Sequence, residues 1–129
     1  ELTVLINGVK TTFLHYPFPV LSGYAEYHGL NMLTVPELAA TKAYTIGRRG
    51  SFKDYVDLYF VIEDKKVALA EIIELAQKKY GVVFNGRLFL EQLVYLQDIM
   101  DTEIIFLRKK IDRGQLEKFF AAEVKQLKL

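Results

Sequence analysis

Two periods divide the chain. From Leu2 to Ile6 and from Val9 to Leu14 the residues are mostly β-branched or apolar, and Asn7-Gly8 lies between the two runs. A two-residue hairpin turn needs positive φ at both positions, which Asn and Gly tolerate, so the pattern predicts a β-hairpin. Tyr16-Pro17-Phe18-Pro19 then ends the ladder, because proline has no N–H to donate and restricts its predecessor. After the interval from Gly23 to Gly29, Leu30 to Leu33 has the make-up of one more short strand. A hairpin alone is marginal in water, so these strands are expected to extend a sheet or to lie on helices.

From Thr34 the period becomes helical. Thr34-Val35-Pro36-Glu37 has the spacing of a capping box, with proline early in the first turn, and the helix is expected to reach about Ile46 and stop at Gly47. Ser51-Phe52-Lys53-Asp54 marks a second N-terminus. The run Tyr55 to Ile62 is apolar nearly all round and could equally be a buried strand; we read it as a buried helix. Leu69, Ile72, Ile73, Ala76 and Tyr80 form a third helical stripe, with Glu74 and Lys78 as an i,i+4 pair and Gly81 as the stop. Asn85 caps a fourth helix carrying Leu88, Phe89, Leu93, Leu96 and Met100. Thr102 to Lys110 reads as a basic, extended connector, and Leu116, Phe119, Phe120, Val124 and Leu127 form the stripe of a fifth helix. The expected fold class is α+β, mostly helical: an N-terminal β-hairpin followed by about five helices.

Composition narrows the chemistry. The 129 residues are 51% hydrophobic and 26% charged, the balance of one domain. Seventeen Lys and Arg against sixteen Asp and Glu leave a net charge of +1, too little to steer the protein toward polyanions as a whole. The absence of cysteine excludes disulfides, thiolate metal sites and a cysteine nucleophile, and fits a reducing, cytoplasmic setting. His15 and His28 have no second ligand at a metal spacing, so no metal site is expected from them. No apolar run has the roughly 18 residues of a membrane span, and no membrane partner is expected. The chain opens at Glu1 rather than Met, inside a strand-like pattern, which suggests a beginning cut from something longer.

Candidate chemistry gathers between positions 42 and 57. Lys42 shares a helix face with Val35, Ala39 and Ile46 and so interrupts the apolar stripe. It must either lay its stem along the core with the ammonium in solvent, or meet a carboxylate or phosphate. Asp54 and Asp57, three apart, share a face of the next helix, and Arg48, Arg49 and Lys53 cluster around the intervening turn. Asp54 is also explained as a first-turn partner of the helix dipole. The neighbours of Asp57 (Val56, Leu58, Tyr59, Phe60) imply burial, and a buried carboxylate needs a partner, with Lys42 or Arg48 nearest in sequence. Arg108, Lys109, Lys110 and Arg113 form a basic stretch that is either a solvated connector or a nucleic-acid backbone contact. Tyr24, Tyr27 and Tyr44 are read as packing residues that could also stack bases.

The segment Thr34-Val35-Pro36-Glu37-Leu38-Ala39-Ala40-Thr41-Lys42-Ala43, followed by Arg48-Arg49-Gly50-Ser51-Phe52-Lys53-Asp54-Tyr55-Val56-Asp57-Leu58-Tyr59, resembles the AbiEii-type nucleotidyltransferase toxins of type IV toxin-antitoxin systems. The hairpin Val4 to Lys10 with Tyr16-Pro17, and the stretch Leu93 to Asp98 read as a helix, extend the likeness over essentially the whole chain. The resemblance implies an enzyme that transfers a nucleoside monophosphate from an NTP to an acceptor, tRNA ends in some members, with Mg²⁺ and NTP as cofactor and substrate and a cognate antitoxin as partner. It casts Lys42, Asp54 and Asp57 as catalytic residues, and Lys42, Arg48, Arg49 and Lys53 as nucleotide contacts.

One signature of that family is missing from these 129 residues: a Gly-rich turn followed on a strand by paired D-x-D carboxylates. Two divalent ions need such carboxylates to clamp the attacking and leaving oxygens. The chain is therefore expected to be the C-terminal portion of a nucleotidyltransferase, a single domain over 1–129 with a hairpin and strand remnant at 1–33 and a helical region at 34–129, inactive alone. The alternative is a non-catalytic helical module that binds the antitoxin or RNA.

Overall fold

A computed structural model describes residues 1–127. Strands β1 (Leu2–Ile6) and β2 (Val9–Phe13) pair antiparallel, with Leu2 opposite Phe13 and Ile6 opposite Val9. Asn7 and Gly8 sit at φ 49° and 79°, as the turn requires. A second hairpin follows: β3 (Tyr24–Tyr27) pairs with β4 (Leu30–Leu33) across His28 and Gly29, at φ 50° and 80°. The sequence pattern gave β4 and not β3, because histidine replaces the usual asparagine of the turn. Histidine nevertheless enters the left-handed region more readily than most residues. The two hairpins are separate two-stranded sheets. They leave Leu5, Val9, Tyr27 and Leu30 more than 60% exposed, so most of their apolar surface is not covered by the helices.

Five helices form the rest: α1 (Val35–Arg49), α2 (Phe52–Glu63), α3 (Leu69–Tyr80), α4 (Gly86–Val94) and α5 (Arg113–Gln126). The core is drawn from all of them, with Tyr55, Leu58, Ile72, Phe89, Leu93, Leu116 and Phe120 almost fully buried. Burying each such side chain contributes about 1.5–3 kcal/mol. Helix α1 lies at the centre and touches α2, α3 and α4. Between Glu37 and Ile46 its buried face is small, built from Ala39, Ala40 and Ala43, which lets its neighbours approach closely.

Two helix ends differ from the sequence reading. Gly47 does not stop α1; the helix continues to Arg49, and a Cβ at Gly47 would lie 3.6 Å from the Cβ of Phe89. Its glycine thus serves the α1–α4 approach rather than a cap. Helix α4 ends at Val94, so Leu96 and Met100 lie beyond it, and Leu93 to Asp98 is not one helix. Leu96 is still buried, whereas Met100 is 84% exposed. The helical periodicity ran on because Leu93, Leu96 and Met100 happen to be spaced by three and four. The other ends agree: Asn85 accepts from Leu88 N at 3.0 Å, and Gly81 closes α3 at φ 60°. The connector from 102 to 110 has no regular structure; Ile104 and Phe106 pack on the core while Ile105 and Leu107 face out, the alternation of an extended chain.

The linker between β2 and β3 is held against the helices. Phe18 packs edge-on to Tyr44 and Tyr80, with centroids 5.5 and 4.6 Å away, and the hydroxyls of Tyr16 and Tyr80 lie 2.5 Å apart. Glu37 is the main anchor. It does not close the expected capping box: Thr34 Oγ1 accepts from Glu37 N at 3.5 Å, but the Glu37 carboxylate turns away. Its Oε1 accepts from Leu21 N (2.5 Å) and Ser22 N (2.6 Å), and its Oε2 accepts from Lys79 Nζ at 2.7 Å. Lys79 also donates to Pro19 O at 2.6 Å. Both charged side chains are buried, at 0% and 1% exposure, so this pair joins α1, α3 and the linker in one desolvated knot.

Candidate functional site

The site is set by a tight link. Gly50 and Ser51 are both extended, and they turn the chain from the last residue of α1 into α2. A Cβ at Gly50 would fall 3.0 Å from Ile46 Cα and 3.2 Å from Tyr55 Cε2, so the link closes tightly only with glycine there. The first two turns of α2 then face the middle of α1. Asp54 uses its two oxygens differently: Oδ2 accepts from Ser51 N (2.9 Å) and Ser51 Oγ (3.0 Å), capping α2, while Oδ1 accepts from Lys42 Nζ at 3.0 Å. One turn on, Asp57 Oδ2 stands 2.9 Å from the same ammonium.

Lys42, Asp54 and Asp57 are thus brought together as the spacing implied, and the partner of Asp57 is Lys42, not Arg48. The expected burial of Asp57 is not found. Its side chain is 56% exposed, against 14% for Asp54 and 29% for Lys42. The apolar neighbours Val56, Leu58 and Tyr59 are buried, but Asp57 lies on the strip of α2 between the core and the solvent. Burial works against charge on Lys42, and the hydrogen bonds and charges of Asp57 and Asp54 outweigh it, so the ammonium is held above the usual lysine range. Burial likewise opposes charge on Asp54, and the Ser51 amide and Lys42 outweigh it, holding that carboxyl below its usual range.

The other predicted cations divide between two sides of α1, with Arg48 on the side where Tyr44 stacks on Tyr80, away from Lys42. The guanidinium of Arg48 lies over the Tyr44 ring, 5.3 Å from its centroid, and donates to the Tyr44 hydroxyl. Arg49, seven residues after Lys42, shares its helix face and is exposed. Lys53 is exposed beside Asp57 on the rim of a shallow cleft of about 400 Å³ that Glu103, Ile104 and Ile105 complete. Among the described residues none of these three cations is ion-paired; Arg49 and Lys53 stand on the Lys42 side with Asp54, Asp57 and Glu103, and Arg48 does not. The basic connector behaves in the opposite way. Arg108 pairs with Asp64 at 2.8 Å, Lys109 with Glu63, and Arg113 with Asp101 at 2.6 Å while also donating to the carbonyls of Leu96 and Ile99.

A larger and more apolar cleft, about 580 Å³ and lined by Tyr16, Phe18, Tyr24 and Leu33 among others, contains none of the predicted catalytic or nucleotide-contact residues. The residues here do not fit a pair of divalent ions. Among the described residues no three His, Cys, Asp or Glu side chains group to hold a metal. Asp54 and Asp57 both pair with the Lys42 ammonium, and no catalytic step is assigned to a metal on this chain. The ion pair of Glu37 with Lys79 is what sequence reading missed. Its signal was present: Lys79 is seven residues after Ile72 and three after Ala76, inside the apolar stripe of α3.

The family described as nucleotidyl transferase AbiEii toxin, type IV TA system, matches residues 6–127. The chain belongs to this AbiEii family. A relative in Aquifex aeolicus (strain VF5), the uncharacterized protein aq_aa25, is 29% identical over 127 residues. That match covers 97% of this chain and 60% of the relative, so the chain spans less than two thirds of the relative's length. No solved structure matches the chain. The matched stretch includes α1 and α2 whole, and with them Lys42, Asp54 and Asp57. No helix among the described residues is long and apolar enough to cross a membrane.

Proposed function

We propose that this chain is the C-terminal portion of an AbiEii nucleotidyltransferase toxin, and that Lys42 meets the phosphates of the NTP there. The observation that carries this is the placement of the Lys42 ammonium, 3.0 Å from Asp54 and 2.9 Å from Asp57 at the α1–α2 junction, still partly open to solvent. Such a cation is a preorganised point charge of the kind that stabilises a triphosphate as charge shifts during transfer. Arg49, on the same face of α1, and Lys53 add positive charge for the remaining phosphate oxygens, whereas Arg48, also expected as a nucleotide contact, lies on Tyr44. The carboxylates that bind Mg²⁺ would come from elsewhere in a longer polypeptide, which is also the natural cover for the exposed apolar hairpins. The acceptor is tRNA and the cognate partner an antitoxin, both in the cytoplasm. The 129-residue chain alone does not catalyse transfer.

The alternative, a non-catalytic module binding antitoxin or RNA through the basic connector, draws less support. Arg108, Lys109 and Arg113 are each taken up by a carboxylate of the same chain. The test is radiolabel transfer. The longer polypeptide, given each α-³²P-NTP with Mg²⁺ and tRNA, is expected to label the tRNA, and the 129-residue chain is not. If the longer polypeptide labels no acceptor with any NTP, yet binds tRNA with a steep salt dependence, the binding-module reading replaces this one.

A further inference from the structure

The two carboxylates that share Lys42 are not equivalent. Asp54 is fixed: it is 14% exposed, caps α2 through Ser51 N and Ser51 Oγ, and cannot leave Lys42 without undoing that cap. Asp57 is 56% exposed, its one polar partner among the described residues is Lys42, and its side chain can swing into solvent. An exposed ion pair of this sort is weak, whereas a triphosphate brings several charges to the same ammonium. The cations without ion-pair partners on either side, Arg49 from α1 and Lys53 from α2, favour an anion larger than one carboxylate.

We propose that Asp57 stands at the position on Lys42 that a phosphate oxygen takes over on binding, while Asp54 keeps the ammonium in place throughout. Asp57 is then a displaceable counter-ion that screens Lys42 from lesser anions, and Asp54 a positioning residue. The inference rests on the reading of Lys42 as a phosphate contact.

The probe is inorganic triphosphate, titrated into the 129-residue chain at fixed ionic strength by calorimetry and by ¹³C NMR of side-chain carboxylates. Asp57→Asn removes the competing charge and is expected to bind about tenfold tighter than the parent. Lys42→Ala is expected to lose about a hundredfold. In the unsubstituted chain, the Asp57 carboxylate resonance should move on titration and that of Asp54 should stay. If Asp57→Asn binds no tighter, or both resonances move together, displacement is overturned while a loss in Lys42→Ala leaves the phosphate contact standing. If Lys42→Ala binds as the parent does, the phosphate reading fails and takes this proposal with it. The NMR arm needs no variant, so a misfolded substitution does not block the test.

Discussion

Replacing Glu37 by Gln tests how the hairpin-bearing segment is tied to the helices. The glutamine keeps the shape and can still accept from Leu21 N and Ser22 N, which lie 2.5 and 2.6 Å from Glu37 Oε1. Its amide nitrogen, however, replaces the oxygen 2.7 Å from Lys79 Nζ, setting donor against donor. Lys79 keeps only Pro19 O as a partner, at 1% side-chain exposure. A buried charge stripped of its counter-ion costs about 3–5 kcal/mol, a large share of the roughly 5–15 kcal/mol that holds a domain of this size together. Urea unfolding of the 129-residue chain, followed by far-UV circular dichroism at pH 7, should show that loss as a lower midpoint at unchanged slope. Glu37→Gln combined with Lys79→Met removes both charges and should recover at least about 2 kcal/mol of it, a coupling that only a direct pair gives. A single-variant loss under about 1 kcal/mol, or no recovery in the pair, would refute the reasoning. The pH dependence carries the same sign. Burial opposes the charge on Glu37, and Lys79 with the Ser22 and Leu21 amides outweighs it, so the folded carboxyl titrates below its ordinary value of 4.5. The unfolded chain therefore takes up that proton first, and the contribution is present above pH 4.5 and lost as pH falls through the lower folded value.

Three further variants test other parts of the fold. Burial, aided by the charge of Asp54, pushes the Tyr55 phenol from 10.0 up to about 12, so stability should fall as pH rises from 10 to 12, and less so in Tyr55→Phe. At pH 7 that variant loses the bond from Tyr55 Oη to Gln92 O, 2.9 Å long, and about 1 kcal/mol in the same urea assay. Gly50→Ala must push Ile46 Cα or Tyr55 Cε2 from 3.0 and 3.2 Å, and should cost about 1–3 kcal/mol by thermal unfolding. Gly81→Ala meets no atom within 4 Å, yet its φ of 60° should cost about 1–3 kcal/mol by the same measurement, separating backbone strain from crowding.

The local patterns that could be read from sequence are those in which one short stretch determines its own structure. Asn7-Gly8 forms its turn, Ser51 and Asp54 cap α2, and Gly81 stops α3, because each depends on neighbours within four residues. What was misread depends on distant contacts. Gly47 looks like a stop until Phe89 is seen against it, and Leu96 looks helical although it is buried from a loop. Glu37 looks like a cap residue until Lys79, forty-two residues away, draws its carboxylate inward. The Lys42 triad was legible in its membership, since helix spacing put Asp54 and Asp57 on one face. Its division into a fixed and an exposed carboxylate was not, because apolar neighbours in sequence do not say on which side of a helix a residue falls.

The central claim is that Lys42 holds the phosphates of the nucleotide. Equilibrium NTP binding by the longer polypeptide, compared between the parent and Lys42→Ala at equal ionic strength and with unfolding temperatures measured in parallel, addresses it most directly. The account predicts affinity weaker by about a hundredfold, close to 2.7 kcal/mol, in a variant that remains folded. Unchanged affinity in a folded Lys42→Ala protein would contradict it and leave Lys42 as a structural partner of Asp54 and Asp57.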